Sequence, residues 1–160
     1  MDLKNKVSLI TGAGQGIGEG IARTVAAQGS KVILVDINGD SAEKVAYEIN
    51  NQIADSALSF QADLTDSSAI SSMLAFGKEH FNKIDCICNN AAASKGIGPI
   101  ENYSLDEVQA TLDLTFTSLW KCLKAEIKFL KDQSIPASIV NISSNSAING
   151  YAFNSIYAAS

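Results

Sequence analysis

The feature that most constrains this chain is an alternation. Short, almost uniformly apolar runs are separated by amphipathic stretches of ten or more residues. "KVSLIT" (6–11), "KVILVD" (31–36), "ALSFQ" (57–61), "IDCICNN" (84–90) and "ASIVNIS" (137–143) read as strands. Apolar residues fill them instead of alternating with polar ones, as in a parallel sheet covered on both faces. The stretches between, roughly 16–28, 40–53, 66–81 and 104–131, carry helical periodicity. The last opens with "SLDE", a capping box with Ser104 as N-cap and Glu107 three residues on. Asp66 can cap the third helix in the same way.

Parallel neighbours need long crossover connections, and these are right-handed. The expected fold is therefore α/β, a doubly wound parallel sheet of Rossmann type with strand order 3-2-1-4-5. No repeat, low-complexity tract or linker divides the 160 residues, and Pro99 and Pro136 both fall in connections. Residues 1–160 read as a single domain, a size that can bury a core.

Composition removes several function classes. The net charge is −5, and no cluster of Lys or Arg longer than a pair supplies the basic face that a nucleic-acid binder needs. The opening "MDLKNK" is polar, unlike a signal peptide, and no apolar run approaches the ~20 residues of a membrane span. Three cysteines, an odd number, point to a reducing compartment, so the expected location is cytoplasmic. Cys86 and Cys88 lie in a strand-like run with His80 as the sole histidine, which fits core packing better than a metal site; no metal is expected.

The first strand runs into "TGAGQGIG" (11–18). This is not the Walker phosphate loop, and it misses the G-x-G-x-x-G spacing because Glu19 stands where the third glycine would fall. It still places Gly12, Gly16 and Gly18 at a strand-to-helix junction, where backbone can approach a pyrophosphate and the helix start offers N–H groups. A glycine-rich turn alone could serve packing. Asp36, at the end of the second strand about twenty residues on, adds a carboxylate suited to ribose hydroxyls. A 2′-phosphate ~4 Å from that carboxylate would be disfavoured by about 4 kcal/mol per charge pair at an effective dielectric near 20. Neither Ile37 nor Asn38 is basic, and Gln15 is neutral, so NAD is expected in preference to NADP.

With these residues the sequence resembles the short-chain dehydrogenase/reductase family in its single-domain form, along the entire chain. Thr11, Gly12, Gly16 and Gly18 match that family's cofactor loop, Asp63 in "ADL" its adenine-contacting acid, and "NNAA" (89–92) the motif ending its fourth strand, with Ala92 where Gly is usual. Ser144 in "NISS" stands thirteen residues before Tyr157, the family's spacing between catalytic serine and tyrosine. Tyr151 lacks that spacing. The resemblance implies cofactor contacts from Thr11, Gly12, Gly14, Gln15, Gly16, Ile17, Gly18, Asp36, Ile37, Asp63, Leu64, Asn90, Ala91 and Ala92. It implies an NAD-dependent oxidoreductase interconverting a small alcohol and a carbonyl, with Tyr157 as acid/base and Ser144 holding the substrate oxygen.

Two departures accompany it. The family's lysine four residues after the tyrosine would be position 161, past Ser160, and the last strands of the fold would follow it. A free phenol titrates near ~10, and lowering that by about 3 units takes roughly 4 kcal/mol of differential stabilisation. Continuation of the chain past Ser160 is therefore expected, and the domain is expected to be incomplete at its carboxyl end. The alternative is a nucleotide-binding, catalytically inactive protein that ends here. Thr115 stands where the family usually carries an asparagine of the proton relay; it can hold a water or simply be a tolerated helix residue. A nucleotide-sugar epimerase or dehydratase is a weaker reading, because Gln15 breaks the G-x-x-G-x-x-G spacing of those proteins. Phe116, Leu119 and Trp120 belong to the core or to a helix–helix face, and the family's habit implies a homodimer or homotetramer. The "ASKGIGP" segment (93–99), Asn145 and Tyr151 line a substrate mouth or are solvated loop.

Overall fold

The structure, a computed structural model, describes residues 3–160; Met1 and Asp2 of the polar opening run lie outside the described residues. Five strands form one parallel sheet: β1 (Val7–Thr11), β2 (Lys31–Asp36), β3 (Ala57–Gln61), β4 (Cys86–Asn89) and β5 (Ser138–Asn141), ordered β3-β2-β1-β4-β5. This is the expected Rossmann-type order. Helices α1 (Gly16–Ala27), α2 (Gly39–Gln52) and α3 (Ser67–Phe81) follow the first three strands. α4 (Leu105–Leu112) and α5 (Ser118–Gln133) lie between β4 and β5, and the short α6 (Ser155–Ala159) comes last.

Successive residues of a strand point to opposite faces, and here both faces are dry in the centre of the sheet. Leu9, Ile33 and Val35 pack on one side with Ile70, Met73 and Leu74 of α3 and Cys122 of α5. Ile10, Val32 and Leu34 pack on the other with Ala22 and Ala26 of α1 and Val45 and Ile49 of α2. That is why β1 and β2 carry almost no polar residues. Asp85, just before β4, is buried at the opposite end of the sheet from the strands' carboxyl ends. Burial opposes its ionisation, but Lys83, the Val7 amide and Lys6 together hold its pKa below the usual carboxylate value.

Two expectations need correction. β5 is not covered on both faces: its Val140 is 54% exposed and only Ile139 packs on the core. The stretch 104–131 is not one regular helix. A π-helical turn, Asp113–Thr117, interrupts it, and the helical run extends to Gln133. Within that turn and just after it, Thr115 and Ser118 donate their hydroxyls to the carbonyls of Thr111 and Leu114, a side-chain competition that bends helices. Phe116 and Trp120 are exposed, so of the two expected places for them the core is ruled out. Cys122 is buried, Cys86 and Cys88 are partly so, and all three are free thiols. Among the described residues, no group of His, Cys, Asp or Glu could hold a metal ion, and no helix is long and apolar enough to cross a membrane.

Candidate cofactor and active site

The carboxyl ends of the strands open onto one cleft of ≈ 780 Å³, within the roughly 300–1,000 Å³ range of small-ligand sites. The loop after β1 forms its floor. Gly12 and Gly16 have φ of +63° and +61°, values that β-carbon-bearing residues rarely adopt. Gly18 serves a different need: an added Cβ would stand 2.1 Å from the Gly12 carbonyl oxygen and 2.6 Å from Asn90 Nδ2. The start of α1 thus lies directly against the loop and the end of β4. Thr11 and Asn90 fasten this junction. Thr11 Oγ1 accepts from the Asn90 and Ala91 amides at 3.0 and 3.1 Å, while Asn90 Nδ2 donates to the Thr11 and Gly12 carbonyls.

The first-turn N–H groups of a helix lack intrahelical partners. Side chains cap α2, α3 and α4, through Asn38, Asp66 and Ser104, whereas Gln15 at the start of α1 makes no side-chain cap. Gln15, Gly16 and Ile17 at this uncapped terminus line the cleft, and nothing lies within 4 Å of a Cβ placed on Gly16. A pyrophosphate fits such a place. Beside it, Asp36 accepts from the Gly14 amide at 2.8 Å and the Asn38 amide at 2.9 Å, one bond to each oxygen. It therefore shapes the loop as well as lining the cleft with Ile37, where each oxygen keeps a lone pair for a ribose hydroxyl. Asp63, whose Oδ1 accepts from the Thr65 amide and hydroxyl, and Leu64 follow β3 along the same wall; Asn90, Ala91 and Ala92 follow β4.

Ser144 and Tyr157 reach the opposite wall of this cleft. Ser144 follows β5 and accepts from the Ser146 amide at 3.1 Å, capping the 3-10 turn Asn145–Ala147. Tyr157 stands on α6. The segment before α6 is tied to the loop after β4: Tyr103 Oη lies 2.9 Å from the Phe153 carbonyl and 3.2 Å from that of Gly96, and Gly98 N donates to the same Phe153 carbonyl.

Not every expected residue faces the cleft. Thr11, Gly14 and Gly18 act behind the wall, and Thr115 is buried with its hydroxyl given to Thr111. Tyr151 is not among the lining residues, whereas Asn145 and Ala93 are. Sequence reading missed Ser143 as a lining residue, having placed it as the last residue of the fifth strand, and Leu114 and Ser118, which the i, i+4 spacing on one helix face could have paired. It also missed Glu126, a carboxyl with no exposure, bonded through Oε2 to Asn89 Nδ2 at 2.9 Å. Burial pushes its pKa up to about 7, with the Asn89 bond opposing.

A parallel sheet ordered 3-2-1-4-5, with a glycine loop and an acid at adjacent strand ends, is a Rossmann-type α/β fold. The chain belongs to the short chain dehydrogenase family, whose model matches residues 6–160. It is 34% identical over 145 residues to 2,3-dihydro-2,3-dihydroxybenzoate dehydrogenase of Bacillus subtilis, covering 91% of this chain and 54% of that one. It is 32% identical over 160 residues to galactitol 2-dehydrogenase of Agrobacterium fabrum, covering 100% and 60%. A crystal structure of NAD+-bound xylitol dehydrogenase superposes with a TM-score of 0.93 at 28% identity, over 99% of this chain and 60% of that one. The chain thus spans little more than half the length of these relatives.

Proposed function

We propose that the protein is an NAD-preferring oxidoreductase that interconverts a small alcohol and its carbonyl, with Tyr157 as acid/base and Ser144 as its partner. The observation that carries this is convergence. Ser144 and Tyr157, from separate elements near the end of the chain, line the same cleft as the glycine loop, Asp36 and Asp63. Family membership and the NAD+-bound xylitol dehydrogenase support the reaction type and the cofactor. The dinucleotide supplies or accepts the hydride at the carbon bearing the substrate oxygen.

The chain's own groups do the rest. The uncapped start of α1 receives the pyrophosphate, and Asp36 accepts from the adenosine ribose hydroxyls, which a 2′-phosphate would replace with charge repulsion. Ser144 donates to the substrate oxygen, and Tyr157 gives or takes the proton at that oxygen. Thr115 keeps no hydroxyl proton for a relay, because that proton already goes to Thr111; what it offers is lone pairs and the shape of the π turn. Exposed Phe116 and Trp120 on the same helical run favour a homodimer or homotetramer, and the three free thiols favour the cytoplasm.

In the protein at its natural length, Tyr157→Phe should abolish turnover while NADH affinity stays within about twofold, since the phenol acts on substrate and not on cofactor. A variant that keeps most of its turnover refutes the assignment. NADH binding without turnover of any alcohol or carbonyl in the wild type would instead favour an inactive nucleotide-binding protein.

A further inference from the structure

Glu126 lies on the face of α5 that also buries Ser118 and Cys122, and it has no solvent exposure. Its Oε2 accepts from Asn89 Nδ2 at 2.9 Å, and the second proton of that amide goes to Asn141 Oδ1 at 3.1 Å. Asn89 and Asn141 are register partners at the ends of β4 and β5. Two buried oxygens of this cluster have no partner, Asn89 Oδ1 and Glu126 Oε1. Both are acceptors if the carboxyl is ionised, and orphaned buried acceptors are costly. A single proton on Glu126 Oε1 makes that oxygen a donor, and given to Asn89 Oδ1, on the amide that already bonds Oε2, it would satisfy both orphans in a ring of two hydrogen bonds.

We propose that Glu126 is a neutral carboxylic acid that clips the carboxyl ends of β4 and β5 together through Asn89 and Asn141. It is a positioning residue. β4 runs directly into Asn90–Ala92 and β5 into Ile142–Ser144, so the clip sets the spacing of the two walls of the cleft. Its surroundings favour the protonated form. Asn89 from β4 and Asn141 from β5 are neutral, and α3 joins this side of the core through Ile70, Met73 and Leu74. The adjoining titratable group, Cys122, is itself pushed up to about 12 by burial and by Glu126. Among the described residues no lysine or arginine bonds to Glu126, in contrast to Asp85 with its two lysines.

The test compares the wild type with Glu126→Gln, whose amide reproduces both hydrogen bonds without a titrating proton. The Glu126 side-chain carbon resonance, assigned by its loss in the variant, should titrate near 7 and not near the ~4.3 of a free glutamate. A folded-state value above the unfolded one means that this group's contribution is complete below about pH 4.3 and is lost as pH rises, until the folded carboxyl ionises. The urea midpoint of Glu126→Gln should therefore gain on that of the wild type between pH 4.5 and 7, then run parallel. NADH affinity of the wild type should weaken from pH 6 to 8.5 on the order of threefold more than that of the variant, the low end of couplings between neighbouring groups. Only this last measurement rests on the cofactor reading: no NADH binding by either protein would overturn that reading and leave the clip to be judged by the other two. A carboxyl that titrates near its free value overturns the clip even if Glu126→Gln fails to fold. So does a folded variant less stable than the wild type at pH 7.

Discussion

The two walls of the cleft are built differently. The wall from β1 to β3 rests on the driest part of the molecule: Leu9, Ile33, Leu34 and Val35 have no exposure, and its polar residues bond inward to one another. The wall that carries Ser144 and Tyr157 stands on a four-residue strand with an open face and a five-residue helix. Beyond the ladder of β5 with β4, it is held by bonds to loop carbonyls and by the clip of Glu126. On the proposed function, the first wall holds an invariant dinucleotide and can be rigid. The second would, on the same reading, meet the substrate and gain from being adjustable, and elements with few buried contacts are those that open most easily.

Glycines give the largest test of this contrast. Gly18→Ala drives a methyl to 2.1 Å from a backbone oxygen in the first wall, whereas nothing lies within 4 Å of a Cβ on Gly150, in the segment leading to α6. Gly18→Ala should cost roughly 1–3 kcal/mol, as overpacking does, and weaken NADH binding. Gly150→Ala should stay within about 0.5 kcal/mol, as surface changes do. Equal shifts in urea midpoint would show that the two walls are equally rigid, and the comparison would fail.

The same difference decided what the sequence revealed. In the first wall each element is announced by nearby residues: apolar runs for β1 and β2, a glycine loop between strand and helix, an acid at the next strand end. Local pattern and final environment agree there. In the second wall they part. "SIV" is as apolar as a core strand, yet Val140 is open, because burial depends on what packs alongside and not on the strand's own letters. The π turn depends on whether Thr115 and Ser118 turn their hydroxyls to the preceding carbonyls, which helical periodicity does not encode. Glu126 among lysines reads as a solvated residue. Only its four-residue spacing from Cys122, and that residue's from Ser118, hints at a buried face.

Asp36 sharpens the contrast at the next level down. It holds Gly14 and Asn38, and on the proposed function it also serves the cofactor, so that function and stability would be joined in one side chain. Asp36→Ala should narrow the preference for NADH over NADPH by roughly tenfold, about 1.4 kcal/mol. It should also lower the urea midpoint as two charge-assisted bonds are lost. Ser144 holds only the Ser146 amide, so Ser144→Ala should leave both cofactor affinity and midpoint nearly unchanged. Tighter binding of NADPH than NADH by the wild type would refute the assigned role of Asp36.

Tyr103 should give a small effect on stability and the most local one. Its hydroxyl lies within bonding distance of the carbonyls of Phe153 and Gly96, joining the loop after β4 to the segment that leads into Tyr157. Tyr103→Phe removes that hydroxyl but not the ring, which lies where a Cβ on Gly96 would meet it at 2.7 Å. The Phe153 carbonyl keeps a second donor in the Gly98 amide, so no buried acceptor is stranded. The global cost should therefore sit near the low end for a hydrogen bond, about 0.5 kcal/mol. The change belongs in local motion: amide exchange at Gly98 should quicken, while exchange in β1 and β2 stays as it was. A loss above about 2 kcal/mol, spread over the sheet, would mean that this wall is as firmly joined to the core as the other. Its openness in the structure would then be exposure without freedom to move.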